Sequence, residues 1–239
     1  MKTTTTLSLL ASSFLLVATA QAQTTFSVGP RVGLNVTSAH FPEANGSSYT
    51  GRAGFEAGLT SSVQFSHFSV QPSVLFSQKG YKASGRLPSF DTPVTYEGEV
   101  RLTYLTVPLN LVFTLGRDGQ GLQVFGGPYV SLLVGGNYAQ RTHVGPYFGN
   151  APYDEETSGK VKPASVVTDS DNRYSRRFDT GLQAGLGYRL GGFQLQANYS
   201  LGLRNLATLY QGYDGSLHKE PRYYNRAWQV SLSYLVGKS

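Results

Sequence analysis

Four histidines are the only imidazoles in the 239-residue sequence, and cysteine is absent. They are His40, His67, His143 and His218. None has a metal-binding spacing such as H-x-x-x-H, and without cysteine there is no thiolate zinc site, cysteine nucleophile or disulfide. His143 could act as a base toward Ser131 or Ser158, but no orienting residue is identifiable, so an exposed loop histidine is the simpler interpretation. The sequence therefore predicts no catalytic set and no enzyme.

Acidic residues form two clusters in the segment from residue 136 to residue 177. The clusters contain Asp154, Glu155 and Glu156, and then Asp169 and Asp171. Clustered carboxylates suit a hard cation such as Ca²⁺, but the spacing does not match the D-x-[DN]-x-[DN]-G loop. A solvated acidic loop is the simpler interpretation, because such clusters are ordinary in exposed loops. We expect neither a metal site nor a cofactor.

A third set of polar residues recurs at every second position of strand-like segments. It comprises Arg31, Glu56, Asp179, Gln183, Arg189, Gln194 and Gln196, with Lys79 as a further candidate. In the lumen of a small barrel these charges could not be freely hydrated, so they should pair or bond to the glutamines. Because an eight-stranded lumen is just wide enough for side chains to fill, we expect a polar network that plugs the barrel and leaves no open diffusion pore.

The elements that position these residues are β-strands, because apolar and polar residues alternate about eight times along the chain. The predicted strands cover residues 26–36, 52–65, 67–79, 100–115, 121–135, 178–190, 193–204 and 228–236. Gly191 and Gly192 lie between two such runs, which is a hairpin signal. Pro72, Pro108 and Pro128 lie inside runs and predict a bulge or a register break at each.

The connections between the predicted strands alternate in length. The long ones cover residues 37–51, 80–99, 136–177 and 205–226, and the short ones lie at Ser66, at residues 116–120 and at Gly191-Gly192. Long outer loops and short periplasmic turns are typical of outer-membrane barrels. The sequence therefore predicts an all-β fold, an eight-stranded antiparallel up-and-down transmembrane β-barrel.

The N-terminal 22 residues have the layout of a secretory signal peptide. Lys2 precedes an apolar run over residues 7–18, and the small residues Ala20 and Ala22 follow. The run is shorter than the roughly 20 residues that a transmembrane helix needs. We expect cleavage after Ala22, which leaves residues 23–239 as one outer-membrane β-barrel domain. The formal net charge of +6 is scattered along the chain, which suggests affinity for anionic lipid headgroups rather than for nucleic acid.

Alternation alone does not say which face of the barrel is apolar, so a soluble periplasmic barrel that binds apolar ligands is an alternative. Two features favour lipid on the apolar side. The polar face is rich in Gly, Ser, Gln and Asn, and aromatic residues recur near strand ends, namely Tyr104, Phe125, Tyr129, Tyr188, Tyr199, Trp228 and Tyr234. We therefore expect the cell outer membrane as the location, with its lipid and lipopolysaccharide as partners.

Six segments carry a family resemblance. In order they are FSVGPRVGLN, QPSVLFSQKGYK, YLTVPLNLVF, FGGPYVSLLVGG, FDTGLQAGLGYRLGGFQLQANYSLGLRNL and NRAWQVSLSYLVG. Together they resemble the outer-membrane β-barrel domain of the PorT-like family, common in Bacteroidetes, over nearly all of residues 23–239. The resemblance implies an eight-stranded outer-membrane barrel in a Gram-negative cell and, for the named member, a part in protein secretion linked to gliding.

One feature departs from that family pattern. The chain continues past Tyr234 instead of finishing on an aromatic residue. Recognition by the outer-membrane assembly machinery would then depend on Tyr234 and Trp228.

Because the sequence predicts neither a catalytic set nor an open pore, we expect the function to lie in the long outer loops. We interpret these loops as a structural or adhesive binding surface for a partner not yet identified. The contact candidates are Tyr138, Tyr147, Phe148, Tyr153, Tyr174, Tyr210, Tyr213, Tyr223 and Tyr224, because aromatic residues dominate binding surfaces. The same tyrosines could instead pack the loops together or lie at the headgroup level. An accessory role in secretion is the alternative function.

Overall fold

The computed structural model describes residues 24–43, 47–87, 92–116, 119–146, 149–167, 172–211 and 216–238. The predicted signal peptide, residues 1–22, lies outside these ranges. The described strands are β1 (Thr24–His40), β2 (Ser47–Phe65), β3 (Phe68–Leu87), β4 (Val94–Thr114), β5 (Gly121–Val144), β6 (Tyr153–Pro163), β7 (Arg173–Ser175), β8 (Phe178–Leu190), β9 (Phe193–Gly202), β10 (Leu209–Gln211), β11 (Leu217–Lys219), β12 (Tyr224–Tyr234) and β13 (Val236–Lys238). In this part of the chain no helix is long and apolar enough to cross a membrane.

Eight of these strands close into a barrel. The order of paired neighbours is β4, β3, β2, β1, β12, β9, β8 and β5, and β5 pairs back onto β4. Every pairing around this ring is antiparallel. The predicted eight-stranded antiparallel barrel is confirmed. The remaining strands lie outside the ring: β6 extends from β5, β7 pairs with β6, β13 pairs with β1, and β10 and β11 form a separate hairpin.

The apolar face of the barrel points outward. Leu34, Leu111 and Trp228 are 72%, 64% and 67% exposed, whereas Gln123 and Asp179 are fully buried inside. A band of exposed apolar side chains around a polar interior is the arrangement that a bilayer requires. The soluble barrel with an apolar interior is therefore the wrong alternative for this chain.

The aromatic residues at strand ends divide between the two faces. Tyr188, Trp228 and Tyr234 are exposed on the outer face, as predicted for an interfacial girdle. Tyr104, Phe125 and Tyr129 are buried inside the barrel, so their assignment to the girdle is wrong. The reason is strand parity, because Phe125 and Tyr129 share a face of β5 with buried polar residues such as Gln123 and Ser131.

Strands β2 to β5 extend well beyond the length predicted for them. They contain 19 to 24 residues, whereas β8, β9 and β12 contain 10 to 13. Residues 80–99, predicted as a loop, mostly continue β3 and β4, and residues 136–177 include the end of β5, then β6 and β7. Alternation is lost there because both faces of the hairpins lie outside the apolar band. We call this extension the wall, and it consists of residues 47–51, 81–87, 94–101, 136–144 and 153–163.

The three prolines do not interrupt the register. Pro72 pairs with Leu109, Pro108 with Tyr129 and Pro128 with Leu182, and the register of the flanking pairs is the same on either side. A proline removes one N–H donor but leaves the number of residues unchanged, so its neighbours stay in register. The predicted breaks at these prolines are wrong. The register shifts instead between Gly51 and Glu56, and between Thr103 and Tyr104.

Short turns join the strands at the end of the barrel that holds the N-terminal end of β1. The turn at Ser66 has a left-handed backbone with φ of 54°, and Gly191 has φ of 59°. Glycine adopts this conformation without steric cost, which suits the Gly191-Gly192 hairpin that the sequence predicts. The opposite end of the barrel carries the wall and the long connections.

Candidate functional site

The half of the lumen nearer the short turns contains a hydrogen-bonded layer centred on Arg31. Below, the end with the short turns is the lower end of the barrel and the end with the wall is the upper end. Its guanidinium donates to Oε1 of Glu56 at 3.1 and 3.2 Å and to Oε1 of Gln196 at 3.0 Å. Gln194 and Gln196 both donate to Oε1 of Gln71, at 3.0 and 3.4 Å. This layer links β1 and β2 to β3 and β9 across the barrel, so side chains fill the cross-section at this level.

A second layer of amides lies above the first. Gln183 donates to Asn110 at 2.8 Å and accepts from Ser200 at 3.2 Å. Gln229 accepts from Asn198 at 2.5 Å and from Ser200 at 3.1 Å. Neutral hydrogen-bonding groups therefore fill the middle of the lumen.

The upper layer contains the second buried ion pair. Nζ of Lys79 lies 3.3 Å from Oδ2 of Asp179, and the two side chains are 2% and 0% exposed. Asp179 also accepts from Asn225 at 2.9 Å, and Lys79 donates to Ser131 at 3.3 Å. The ammonium lies 4.7 Å from the ring centroid of Tyr129, which adds a cation–π contact to the pair.

All seven residues predicted for the lumen, and Lys79, lie inside the barrel. Of the three buried cations Arg31, Lys79 and Arg189, only Arg189 lacks a carboxylate partner within the described ranges. It donates to Oγ of Ser27 at 3.4 Å. The sequence reasoning missed the amides Gln71, Asn110, Asn198, Asn225 and Gln229 as members of the network. Inward parity on the predicted strands could have identified all of them except Asn225, which lies outside those strands.

An apolar cap covers the polar lumen at its outer end. Leu206 and Ala207 are buried there against Ala39 and Tyr223. The loop that carries them is held by backbone bonds, since Leu206 N–H donates to the carbonyl of Tyr223 at 3.0 Å and Arg176 donates through Nε to the carbonyl of Ala207 at 2.8 Å. The connection after β9 therefore folds inward over the barrel mouth.

Four aromatic rings pack together above this cap. Phe41 stacks between Tyr49 and Tyr223, with ring centroids 4.0 and 5.2 Å apart, and Tyr81 meets Phe41 edge-on at 5.6 Å. We call these four residues the aromatic cluster. It connects the residue after β1, strands β2 and β3, and the residue that precedes β12. The aromatic cluster therefore joins several strands at the mouth of the barrel.

Two adjoining cavities open beside the aromatic cluster, and together we call them the vestibule. Their volumes are about 380 and 290 Å³, and both are lined by Phe41, Tyr49, Tyr81, Val100 and Arg173. Ligand sites are typically concave, mostly apolar and furnished with few polar groups, and they occur in the mouths of β-barrels. The vestibule has these properties and is the candidate binding site.

Burial keeps the tyrosines of the vestibule neutral. It raises the pKa of Tyr81 to about 12, although the nearby Arg173 charge acts in the opposite direction. Burial likewise raises the pKa of Tyr49, and that of Tyr223 well above its usual value. These rings therefore present hydroxyls and aromatic faces, not negative charge, at neutral pH.

The tyrosines predicted as a loop binding surface lie in different environments. Tyr153 and Tyr210 are exposed, and Tyr174 and Tyr224 are half-buried. Tyr138 and Tyr223 are each only 8% exposed and pack into the mouth of the barrel, as in the alternative interpretation, and Tyr223 also lines the larger cavity of the vestibule. Tyr147, Phe148 and Tyr213 lie outside the described residues. The sequence reasoning missed Phe41, Tyr49, Tyr81 and Arg173 in the vestibule, since these residues are adjacent only in three dimensions.

The histidines and the first acidic cluster are not among the residues that line the vestibule. His143 Nδ1 lies 2.8 Å from Asp154 on the exposed wall, and Ser131 is buried with Lys79 in the lumen. Asp154 also accepts from Arg141 at 2.7 Å, and the hydrogen bonds from His143 and Arg141 lower its pKa. Within the described ranges, no three His, Asp or Glu residues are grouped so as to hold a metal ion. Asp169 and Asp171 lie outside those ranges.

The outward face of the wall is charged. Glu99 accepts hydrogen bonds from Arg101 and Arg52, and these bonds lower its pKa to about 2. Lys82 and Lys160 are exposed on the same face. A groove of about 520 Å³ runs across it, larger than either cavity of the vestibule. Because this groove is open and lined by exposed charges, we assign it to contact with the surroundings rather than to an enclosed ligand.

Comparisons with known proteins give one family match and several distant structural similarities. No curated protein matches the sequence. Solved structures that resemble it include Ail, the attachment invasion locus protein of Yersinia pestis, with 13% identity, a TM-score of 0.41 and coverage of 88% of this chain and 98% of Ail. OprG from Pseudomonas aeruginosa has 11% identity and a TM-score of 0.36 over 89% and 96% of the two chains. Neisserial surface protein A has 8% identity and a TM-score of 0.35 over 87% and 96%.

A family model gives the assignment. The model described as outer membrane protein beta-barrel domain matches residues 20–208, which is most of the chain. The outward apolar band and the closed ring of strands have the form that such a domain requires. The protein is located in the cell outer membrane, and the chain belongs to the outer membrane protein beta-barrel domain family.

Proposed function

We propose that this protein is a non-enzymatic surface-binding protein that acts through its extracellular end. The observation that carries the proposal is the unequal height of the barrel. A transmembrane strand needs about 9–11 residues, and β9 and β12, with 10 and 11 residues, supply no more than that. Strands β4 and β5, with 21 and 24 residues, continue far beyond. At about 3.3 Å per residue, the surplus of β4 and β5 rises roughly 30 Å or more along the strands.

The lumen and the mouth support a binding role rather than transport. Hydrogen-bonded side chains fill the lumen at the levels of Arg31, Gln183 and Lys79, and the apolar cap closes its outer end. The wall presents exposed charges and the exposed ring of Tyr153. Adhesion to a surface or a partner therefore uses the wall.

The test removes the end of the wall without touching the barrel. Arg141 and Glu156 are paired partners on β5 and β6, so residues 142–155 can be replaced by an Asn-Gly turn. Intact Gram-negative cells that display the natural protein should bind to immobilised matrix proteins or glycans more strongly than cells that carry this variant. Equal binding by the two kinds of cell, at equal surface amounts, would overturn the proposal.

The finer alternative is an accessory role in secretion, as the PorT-like resemblance implies. Such a role requires a periplasmic partner, and two of the turns at that end are only the residue pairs at Ser66 and Gly191. The small size of these turns favours the extracellular role. Deletion of the gene in its own host would support the secretion role if exported proteins accumulated inside the cell, and would count against it if their export were unchanged.

We further propose lipopolysaccharide headgroups as the partner of the outward face of the wall. Lys82 and Lys160 are exposed there and, in the part of the chain that the structure describes, form no salt bridge. Basic residues at the membrane surface attract anionic headgroups. In bilayers with lipopolysaccharide the protein should melt at a higher temperature than in bilayers without it, and replacing Lys82 and Lys160 with Gln should reduce that difference. No difference between the two bilayers would contradict the proposal, and Lys219→Gln is the matched control.

A further inference from the structure

Arg173 differs from several other arginines of the extracellular end in what it contacts. Arg52, Arg101, Arg141 and Arg222 each lie within 4.0 Å of a carboxylate. Arg173 has no such partner among the described residues. Its Nη2 donates to Oε1 of Gln140 at 2.6 Å, and its guanidinium carbon lies 4.4 Å from the ring centroid of Tyr138. A neutral amide and an aromatic ring therefore hold the positive charge in place, and no carboxylate among the described residues forms a salt bridge with it.

Arg173 lines both cavities of the vestibule, but the two cavities differ in whether a carboxylate also lines them. Glu220 lines the larger cavity, of about 380 Å³, but not the smaller one, of about 290 Å³. The Glu220 carboxylate already accepts from Thr208, through Oγ1 at 2.5 Å and through the backbone N–H at 3.4 Å. Among the described residues, the lining of the smaller cavity thus contains the Arg173 guanidinium and no carboxylate.

Aromatic rings form much of the remaining lining of the smaller cavity. Phe41, Tyr49, Tyr81 and Tyr96 contribute to it, with Leu87 and Val100 as apolar neighbours. Phe41 and Tyr49 are fixed by mutual stacking, and Tyr96 shares a hydrogen bond of 2.7 Å with Ser47. A volume of about 290 Å³ lies near the lower end of the roughly 300–1,000 Å³ of ligand pockets. It therefore accommodates a molecule of one or two rings.

We propose that the smaller cavity of the vestibule binds a small ring-bearing organic anion, with the rings against the aromatic side chains and the anionic group on Arg173. A planar guanidinium donates two parallel hydrogen bonds to a carboxylate. An aromatic face accepts either an aromatic ring or the apolar face of a sugar. Two kinds of molecule combine a ring with a carboxylate in this way, an aromatic carboxylate and an acidic sugar. The inference rests on the proposed binding role of the extracellular end and gives that role a ligand class.

The test measures binding to the purified full-length protein in detergent by calorimetry. The probes are 2-naphthoate for an aromatic carboxylate, glucuronate for an acidic sugar, and 2-naphthalenemethanol as the neutral analogue. At least one of the two anions should bind, and it should bind more tightly than the neutral probe. Which anion binds identifies the source. Arg173→Gln should weaken its binding about tenfold or more, because a hydrogen bond to a charged group is of that strength.

Two further variants separate a loss of binding from a loss of fold. Arg177→Gln removes an exposed arginine four positions along the chain and should leave binding unchanged. Arg173→Lys keeps the charge but not the two parallel donors, so its affinity should lie between those of the natural protein and Arg173→Gln. A heat-modifiable band on electrophoresis checks that each variant is folded.

The proposal is overturned if neither anion binds, if the neutral probe binds as tightly as the anion, or if Arg173→Gln binds like the natural protein. The variant that lacks residues 142–155 keeps the lining residues of the smaller cavity. It should therefore still bind the anion even if it no longer supports cell adhesion. Failure of the ligand prediction and failure of the surface-binding role are thus observed in different measurements.

Discussion

At the scale of single residues, the buried pair of Lys79 and Asp179 is a sensitive point of the lumen. Both side chains are almost completely buried, and Asn225 and Ser131 complete their hydrogen bonding. Removing one partner of such a pair leaves a charge without compensation, whereas removing both does not. The exposed pair of Arg222 and Glu43 lacks this sensitivity, because solvent screens its charges.

Asp179→Asn should therefore lower the free energy of unfolding by about 3–5 kcal/mol. The measurement is urea unfolding in lipid or detergent, followed by the loss of the heat-modifiable band. Adding Lys79→Met to Asp179→Asn should restore much of the loss, and Glu43→Gln at the exposed pair should cost less than about 1 kcal/mol. A single Asp179→Asn variant as stable as the natural protein would show that the pair does not hold the lumen together.

At the scale of elements, the two parts of each long hairpin lie in different environments and have different roles. Their lower parts form the barrel, where Leu105 and Phe76 face outward and Thr106 and Ser77 face inward. Their upper parts form the wall, where pairing between strands continues without the apolar band. Hairpins of this kind depend on contacts with their neighbours, and the wall has them from β2 through β6.

The variant with residues 142–155 replaced by Asn-Gly tests that division. The eight strands of the ring keep all their pairings below Arg141, so the variant should fold into a heat-modifiable barrel with nearly unchanged thermal stability. The matched comparison is a full-length variant with Tyr153→Ser, which removes only an exposed ring. Loss of the folded band in the shortened variant alone would mean that the end of the wall is required for barrel assembly.

At the scale of the whole molecule, the barrel is closed to diffusion. The lumen contains two buried ion pairs and layers of amides, and Leu206 and Tyr223 lie over its outer end. An eight-stranded barrel is narrow enough for side chains to fill. The protein therefore exposes its membrane-external surface without offering a path through the membrane.

The purified protein should accordingly give no steady conductance in a planar lipid bilayer. An open porin reconstituted in parallel serves as the positive control, and the heat-modifiable band checks that the protein has folded. A stable conductance that grows in proportion to the voltage would show that the layers around Arg31 and Lys79 leave an aqueous path. That result would also return transport to the possible functions.

The sequence by itself determined the ring of strands and which residues share a face. Alternation of period two fixes the side of each strand, so Leu105 and Leu111 could be placed on one face, and Arg31 and Asp179 on the other, from the sequence alone. Only the tertiary structure decided which face is outside, and it put Tyr104 and Tyr129 inside. It also decided the partners, because Arg31 and Gln196 are 165 residues apart.

The height of the wall and the vestibule likewise came only from the tertiary structure. Above the apolar band, alternation no longer distinguishes two environments, so residues 80–99 resemble a loop in sequence although most of them pair in β3 and β4. The vestibule brings Phe41, Tyr81 and Arg173 together from distant parts of the chain. Periodicity reports the environment of a residue within its own strand, whereas a binding site depends on which strands and loops meet, and barrel closure decides that.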